Sequence, residues 1–179
     1  MAEFPLTRES IVFDLGAYLG HYALGVWERY EPRLYCFEPI KSHYDQLVER
    51  VPQAHSFQFG LGPETREVQI HANADSSSIY ERGGHPEQCR LVAFGEFVRD
   101  HDITSIELAK VNIEGAEYDL FDHLLATGQI RMIRHLMIQF HDFVPDAVAR
   151  YEAIAAGLAK THALWDCTPF CWESWGPKP

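Results

Sequence analysis

The run Val12-Phe13-Asp14-Leu15-Gly16-Ala17-Tyr18-Leu19-Gly20 constrains this chain more than any other stretch. Apolar residues interrupted only by Asp14 read as a buried strand, and two glycines then punctuate a turn. Behind them Ala23, Val26, Trp27 and Tyr30 fall at i, i+3, i+4 and i+7, the apolar stripe of a helix. A strand turning sharply into a helix at glycines is the junction at which open α/β sheets receive nucleotide-type ligands. Gly16 and Gly20 would let a ligand lie against the main chain at the helix amino terminus.

The acid suggests which ligand. A dinucleotide fingerprint follows G-x-G-x-x-G and faces a pyrophosphate, which a carboxylate at the turn's mouth would repel. Here the pattern is D-x-G-x-x-x-G, the spacing used for S-adenosylmethionine, whose methionine end carries an ammonium and a sulfonium. An ordinary strand-to-helix connection would use the same glycines, so other motifs must decide.

Strand and helix signals alternate along the chain, the mark of a parallel sheet wrapped by helices. Arg33 to Phe37 reads as a second strand; Ser42 is placed to cap a helix carrying Tyr44, Leu47, Val48 and Val51, and Pro52 stops it. His55 to Phe59 is a third strand. From Leu61 to Leu91 the pattern loosens into a short strand at Val68, Ile70 and Ala72 and a mobile loop around the serines and Gly83-Gly84, a lid in expectation. A short helix at Phe94, Phe97 and Val98, a central strand over Ile106 to Ile113, and a helix ending at Gly128 follow. Met132 to Phe140 is another strand, and Val148, Tyr151, Ala155 and Leu158 mark the last helix, after Pro145. Two β-like runs around Pro169 can pair only as an antiparallel hairpin.

A chain of 179 residues with 46% hydrophobic content suits one compact domain over 1–179. Its formal charge of -11 opposes tracking of phosphates, so nucleic acid is not expected as a partner. No segment is long and apolar enough for a membrane span, and the amino terminus lacks a leader pattern, so a cytoplasmic protein with no membrane partner is expected. Cys36, Cys89, Cys167 and Cys171 show no zinc spacing and read as reduced thiols packed in or near the core.

Four places in the sequence carry the chemistry beyond the first turn. Glu38 ends the second strand, where a carboxylate can accept hydrogen bonds from both ribose hydroxyls of an adenosine. Gly60-Leu61-Gly62 could let the backbone approach an adenine. Along Lys110 to Glu114, alternation puts Lys110, Asn112 and Glu114 on one face of a core strand, where polar groups must pair or line a cavity. Lys110 could equally brace that strand through Glu114 or Glu117. His141, at the carboxyl end of the next strand, reads as the general base. His141, Asp142 and Glu114 do not have a diagnostic metal spacing, and no metal is expected.

These blocks together resemble the FkbM-type methyltransferases, in V-F-D-L-G-A-Y-L-G-H-Y from Val12, C-F-E-P from Cys36, the serines Ser76 to Ser78, and K-V-N-I-E-G-A-E from Lys110. The family usually has Asn at Tyr18, Asp at Asn112 and Glu at Gln139; the latter two changes replace carboxylates with amides. The resemblance implies an α/β, class I methyltransferase-like (Rossmann-like) fold: a mostly parallel seven-stranded sheet, helices on both faces, and an antiparallel carboxyl-terminal hairpin. It implies S-adenosylmethionine as cofactor, held by Asp14, Gly16, Tyr18, Gly20 and Glu38, with Ala17, His21, Pro39, Gly60, Leu61 and Asn112 beside them.

It further implies O-methylation of a small-molecule acceptor, a sugar or a natural product, with His141 as base and Asn112 and Glu114 positioning. Tyr80, Trp172 and Trp175 could wall the acceptor, and the 61–91 loop and the tail would supply the lid. A non-catalytic adenosyl-binding module and a nicotinamide oxidoreductase are the rival readings.

Overall fold

The computed structural model describes residues 4–72, 77–78 and 85–179. Ser76, Tyr80 and Gly83-Gly84, singled out above, lie outside the described residues. The first half of the chain runs β1 (Ile11–Leu15), α1 (His21–Tyr30), β2 (Arg33–Phe37), α2 (Lys41–Arg50), β3 (His55–Phe57), β4 (Gly60–Gly62), β5 (Arg66–Ala72), β6 (Ser77–Ser78) and β7 (His85–Ala93). The second half runs α3 (Phe94–Asp100), β8 (Ile106–Val111), α4 (Glu117–Thr127), a short 3-10 turn, β9 (Ile133–Ile138), α5 (Ala147–Leu158), β10 (His162–Thr168) and β11 (Trp172–Pro177).

Seven strands form the main sheet in the order β10-β11-β9-β8-β1-β2-β3. Its pairs from β9 to β3 are parallel, and β11 runs antiparallel to both β9 and β10. This is the class I arrangement that the resemblance implies. β1 is central, so its carboxyl end is flanked by those of β2 and β8, and the chain's polar motifs meet there.

Alternation along the strands divides the core. Phe13, Leu15, Tyr35 and Phe37 pack with Phe97, Tyr118, Phe121 and Ile154 on the face covered by α3, α4 and α5. Val12, Leu34, Cys36 and Leu108 pack with Ala23, Val26, Leu47 and Val51 on the face covered by α1 and α2. Each such side chain, fully buried, stabilises the fold by about 1.5–3 kcal/mol. Asp14 and Lys110 share the second face with Val12 and Leu108, so two charged groups sit beneath α1.

The 61–91 segment differs from its expected short strand and loop. β4, β7, β5 and β6 form a second sheet, with β5 and β7 antiparallel in register from Arg66↔Leu91 to Ala72↔His85. The apolar alternation of Val68 and Ile70 is answered across the ladder by Cys89 and Leu91, and all four pack with Ile40.

Three smaller expectations are also corrected. Ile40, not Ser42, is the N-cap of α2, and its own side chain makes no capping hydrogen bond. β8 ends at Val111, so Asn112 and Glu114 leave the strand instead of alternating along it. Of the free thiols, Cys36 and Cys89 are buried and Cys171 is exposed. Gly128 ends α4 as expected, with φ 76° in the left-handed region. Among the described residues no helix is long and apolar enough to cross a membrane.

Candidate active site

A cavity of about 330 Å³ opens at the carboxyl edge of β1, β2 and β8, within the range of small-molecule sites. The first turn forms one side. Gly16, Tyr18 and Gly20 all have positive φ, at 75°, 50° and 80°. Gly16 is required on two counts, since a Cβ there would lie 1.8 Å from the Asn112 carbonyl oxygen. Gly16, Ala17, Tyr18 and His21 line the cavity.

Gly20 does not line it. A Cβ at this residue would meet Leu47 at 2.8 Å and Val51 at 3.2 Å, so Gly20 serves the packing of α1 on α2 and not the approach of a ligand.

Asp14 also departs from its expected place. Its carboxylate is fully buried and is not among the groups lining the cavity. Lys110 Nζ lies 2.9 Å from Asp14 Oδ1 and donates at 2.8 Å to the Gly16 carbonyl, while the Tyr22 ring covers it at 5.8 Å. Burial raises the Asp14 carboxyl above its ordinary value, and the Lys110 ammonium pulls it back. The same burial, with the Asp14 charge, raises the Tyr22 phenol. Lys110, not Asp14, lines the cavity. The carboxylate therefore shapes the turn through Lys110, which ties β8 to the first residue after β1.

Glu38 stands where the sequence put it, lining the cavity beside Pro39. Oε2 accepts the Tyr18 N–H and Oε1 the Ile40 N–H, both at 2.9 Å. One carboxylate thus closes the first turn and opens α2. His43 lies 3.7 Å from Oε1, and its ring meets Tyr18 edge-on at 4.5 Å. Gly60 and Leu61 line the apolar end with Ile40, Ile70 and Leu91. The second sheet thus forms a wall of the site.

The other end is built by the segment after β8. Asn112, Ile113 and Glu114 line the cavity, and the Asn112 Oδ1 is buried with no hydrogen-bond partner among the described residues. Glu114 adopts φ 53°, and Gly115 follows at 99°. His141 is not among the lining groups. Its Nε2 lies 3.4 Å from Glu114 Oε2 and its Nδ1 3.2 Å from Glu117 Oε1. Burial alone would lower its pKa, but the two carboxylates override that and push it up to about 10. An imidazolium has no free lone pair, so His141 does not have the protonation state expected of a general base at neutral pH.

Trp172 lines the cavity, whereas Trp175 is buried in the core with its indole N–H on Glu173 at 2.8 Å. Sequence reasoning missed Tyr22, Ile40, His43, Ile70, Leu91, Met137 and the purpose of Glu117. Tyr22 and His43 sit in the first turns of α1 and α2, a position from which either could have been inferred. Among the described residues no group of three His, Cys, Asp or Glu side chains is arranged to hold a metal ion.

The cavity suits an adenosyl amino acid. It offers an apolar wall, a carboxylate at the end of β2, a glycine turn at a helix amino terminus, and a buried oxygen on Asn112 open to a donor. The fold is similar to an rRNA methylase from Streptococcus thermophilus, with TM-score 0.55 and 16% identity over 97% of this chain and 90% of that one. It is similar to Aeropyrum pernix fibrillarin in complex with natively bound S-adenosyl-L-methionine, with TM-score 0.55 and 11% identity over 98% and 69%. It is likewise similar to the Methanococcus jannaschii fibrillarin pre-rRNA processing protein, with TM-score 0.56 and 10% identity over 98% and 70%. At such identities the likeness is one of fold. Curated proteins give no match in sequence.

The model of the methyltransferase FkbM domain matches residues 14–156. That span takes in every group named at the cavity except Trp172, and the chain belongs to the FkbM methyltransferase family, with S-adenosylmethionine as its cofactor.

Proposed function

We propose that this protein transfers the methyl group of S-adenosylmethionine to a hydroxyl oxygen of a small polar acceptor, a sugar or a natural product. The observation that carries this reading is the carboxylate of Glu114, which lines the cavity and lies 3.4 Å from the His141 imidazole. When bound, the cofactor supplies a methyl group already activated by its sulfonium. Gly16, Ala17 and Glu38 would hold it along the first turn, Leu61, Ile70 and Leu91 would enclose its apolar end, and the Asn112 oxygen would be available to accept from its ammonium. Glu114 would accept the hydrogen bond of the incoming hydroxyl, orient the oxygen, and take its proton as the oxygen–methyl bond forms and the methyl–sulfur bond breaks, the sulfur keeping the electron pair and S-adenosylhomocysteine leaving. His141 keeps Glu114 in place and balances its charge.

Charge supports the acceptor class. The relatives named above include an rRNA methylase, but a chain of net charge -11 repels a polyanion, whereas a neutral hydroxyl compound meets no such barrier. The test is conversion of S-adenosylmethionine to S-adenosylhomocysteine with a panel of sugars and polyols, run beside an RNA substrate. Turnover with a hydroxyl compound and none with RNA supports the reading. Turnover with RNA alone overturns the acceptor class, and calorimetry that shows binding of NAD but not of S-adenosylhomocysteine overturns the reading altogether.

A further inference from the structure

We propose that Glu117, a residue that never reaches the cavity, is the positioning residue of the transfer site: it folds the turn that delivers Glu114 and fixes His141 as the bridge between the two carboxylates. The inference rests on the methyl-transfer reading above, which assigns Glu114 to the acceptor.

The geometry carries it. Glu117 is the first residue of α4 and is fully buried, yet it caps nothing within its own helix. Its Oε1 accepts the Ile113 N–H at 2.7 Å and its Oε2 the Gly115 N–H at 2.8 Å. These amides flank Glu114, so one carboxylate grips the turn on both sides of the residue that enters the cavity. The grip has work to oppose, because Glu114 sits at φ 53°, a left-handed backbone that a non-glycine residue adopts only under strain. Charge-assisted hydrogen bonds to two amides are strong enough to hold it there.

A second connection runs through the side chains. Glu117 Oε1 lies 3.2 Å from His141 Nδ1, and Glu114 Oε2 lies 3.4 Å from Nε2. Both imidazole nitrogens thus lie near carboxylates, an arrangement that favours a proton on each. The other groups around His141 do not compete for those protons. The Tyr118 hydroxyl donates to the His141 carbonyl at 2.8 Å, Asp142 follows in the chain, and the Phe143 ring lies at 5.3 Å. Without the cation, two carboxylates would face each other across a partly buried gap and repel Glu114 from its place. This accounts for E-G-A-E as a unit: acceptor-facing acid, hinge glycine, and the acid that fixes both.

The test follows the His141 ring by NMR across pH in the full chain without cofactor, in the wild type and in Glu117→Gln, and measures kcat and KM in both. The expected wild-type ring keeps its proton to a midpoint near pH 10. In Glu117→Gln the midpoint falls by about one pH unit or more, because one of two facing charges is gone. The same variant loses roughly 10- to 100-fold in kcat, with KM for S-adenosylmethionine within about 2-fold, since the first turn is untouched. A wild-type midpoint near that of a free histidine overturns the proposal with no variant needed, so a Glu117→Gln chain that fails to fold leaves it testable. Unchanged kcat in a folded Glu117→Gln also overturns it. Absence of methyl transfer by the wild type to any acceptor removes the activity reading, while the titration still decides whether Glu117 fixes His141.

Discussion

Lys110 and Asp14 sit directly opposite each other on neighbouring parallel strands, in register, with Nζ 2.9 Å from Oδ1 and both side chains buried. The pair joins β8 to β1, and a further contact of Lys110, to the Gly16 carbonyl, extends it into the turn at the cavity. Removing the ammonium leaves a carboxylate sealed beneath α1. Lys110→Met is therefore expected to lower stability by about 3–5 kcal/mol, the cost of stranding one member of a buried pair. Asp14→Asn in the same chain removes the stranded charge and is expected to recover part of that loss. Urea denaturation of the single and double variants checks this. Equal stability of Lys110→Met and wild type would show that the pair does not hold the strands.

Gly16 and Gly128 share a left-handed backbone but differ in surroundings. At Gly16 a Cβ would collide with the Asn112 carbonyl at 1.8 Å, whereas nothing lies within 4 Å of a Cβ at Gly128. Gly128→Ala is expected to cost about 1 kcal/mol, the backbone penalty alone. Gly16→Ala adds a clash with main chain that cannot rotate away, so it should cost more than about 2 kcal/mol and abolish binding of S-adenosylhomocysteine. Denaturation and calorimetry on the two variants side by side give the comparison.

The sequence revealed most where one local pattern decided the outcome. The strand, glycine turn and α1 stripe were legible because Val12 to Tyr30 contains its own periods and punctuation, and the hairpin because Pro169 leaves too short a link for anything else. Glu38 was legible because the residue that follows a strand of an open parallel sheet stands at its ligand edge. Asp14 was misread for a reason of register. Its partner Lys110 is far away in the chain, and only the β1–β8 ladder sets them opposite each other. The second sheet was hidden in the same way, since Val68 and Ile70 acquire a face only when Cys89 and Leu91 arrive across the ladder. His141 reads from the sequence as a base at a strand's carboxyl end beside Asn112, whereas its contacts with Glu114 and with Glu117, which folds back from α4, arise only in the folded chain.

Glu38 offers a test of how the first turn binds. Its carboxylate already accepts the Tyr18 and Ile40 amides, so a ligand meets an acid whose position is fixed beforehand. Glu38→Ala loses a charged acceptor and frees the Tyr18 turn, which has φ 50°. The expected result is roughly 10- to 100-fold weaker binding of S-adenosylmethionine, the worth of a charge-assisted hydrogen bond. Glu38→Gln keeps one amide acceptor and should fall between. Calorimetry resolves the three, and an unweakened Glu38→Ala would remove Glu38 from the cofactor site.

The imidazolium between Glu114 and Glu117 also sets how stability varies with pH. Its pKa in the folded chain is raised to about 10, from an ordinary value of 6.5, because two carboxylates outweigh the opposing effect of burial. A raised pKa means that the folded state holds the proton more tightly than the unfolded chain. The resulting stabilisation is fully present below about pH 6.5, declines as pH rises, and is gone once pH passes about 10. After solvent screening, the loss should be no more than about 3 kcal/mol. His141→Gln cannot hold the charge, so it is expected to be less stable than wild type at pH 6 and to approach it by pH 10.5, as the wild type gives up its advantage. Urea midpoints measured for both chains across this range decide the matter. A gap between them that stays constant with pH would mean that His141 is neutral in the folded protein and that its contribution is packing alone.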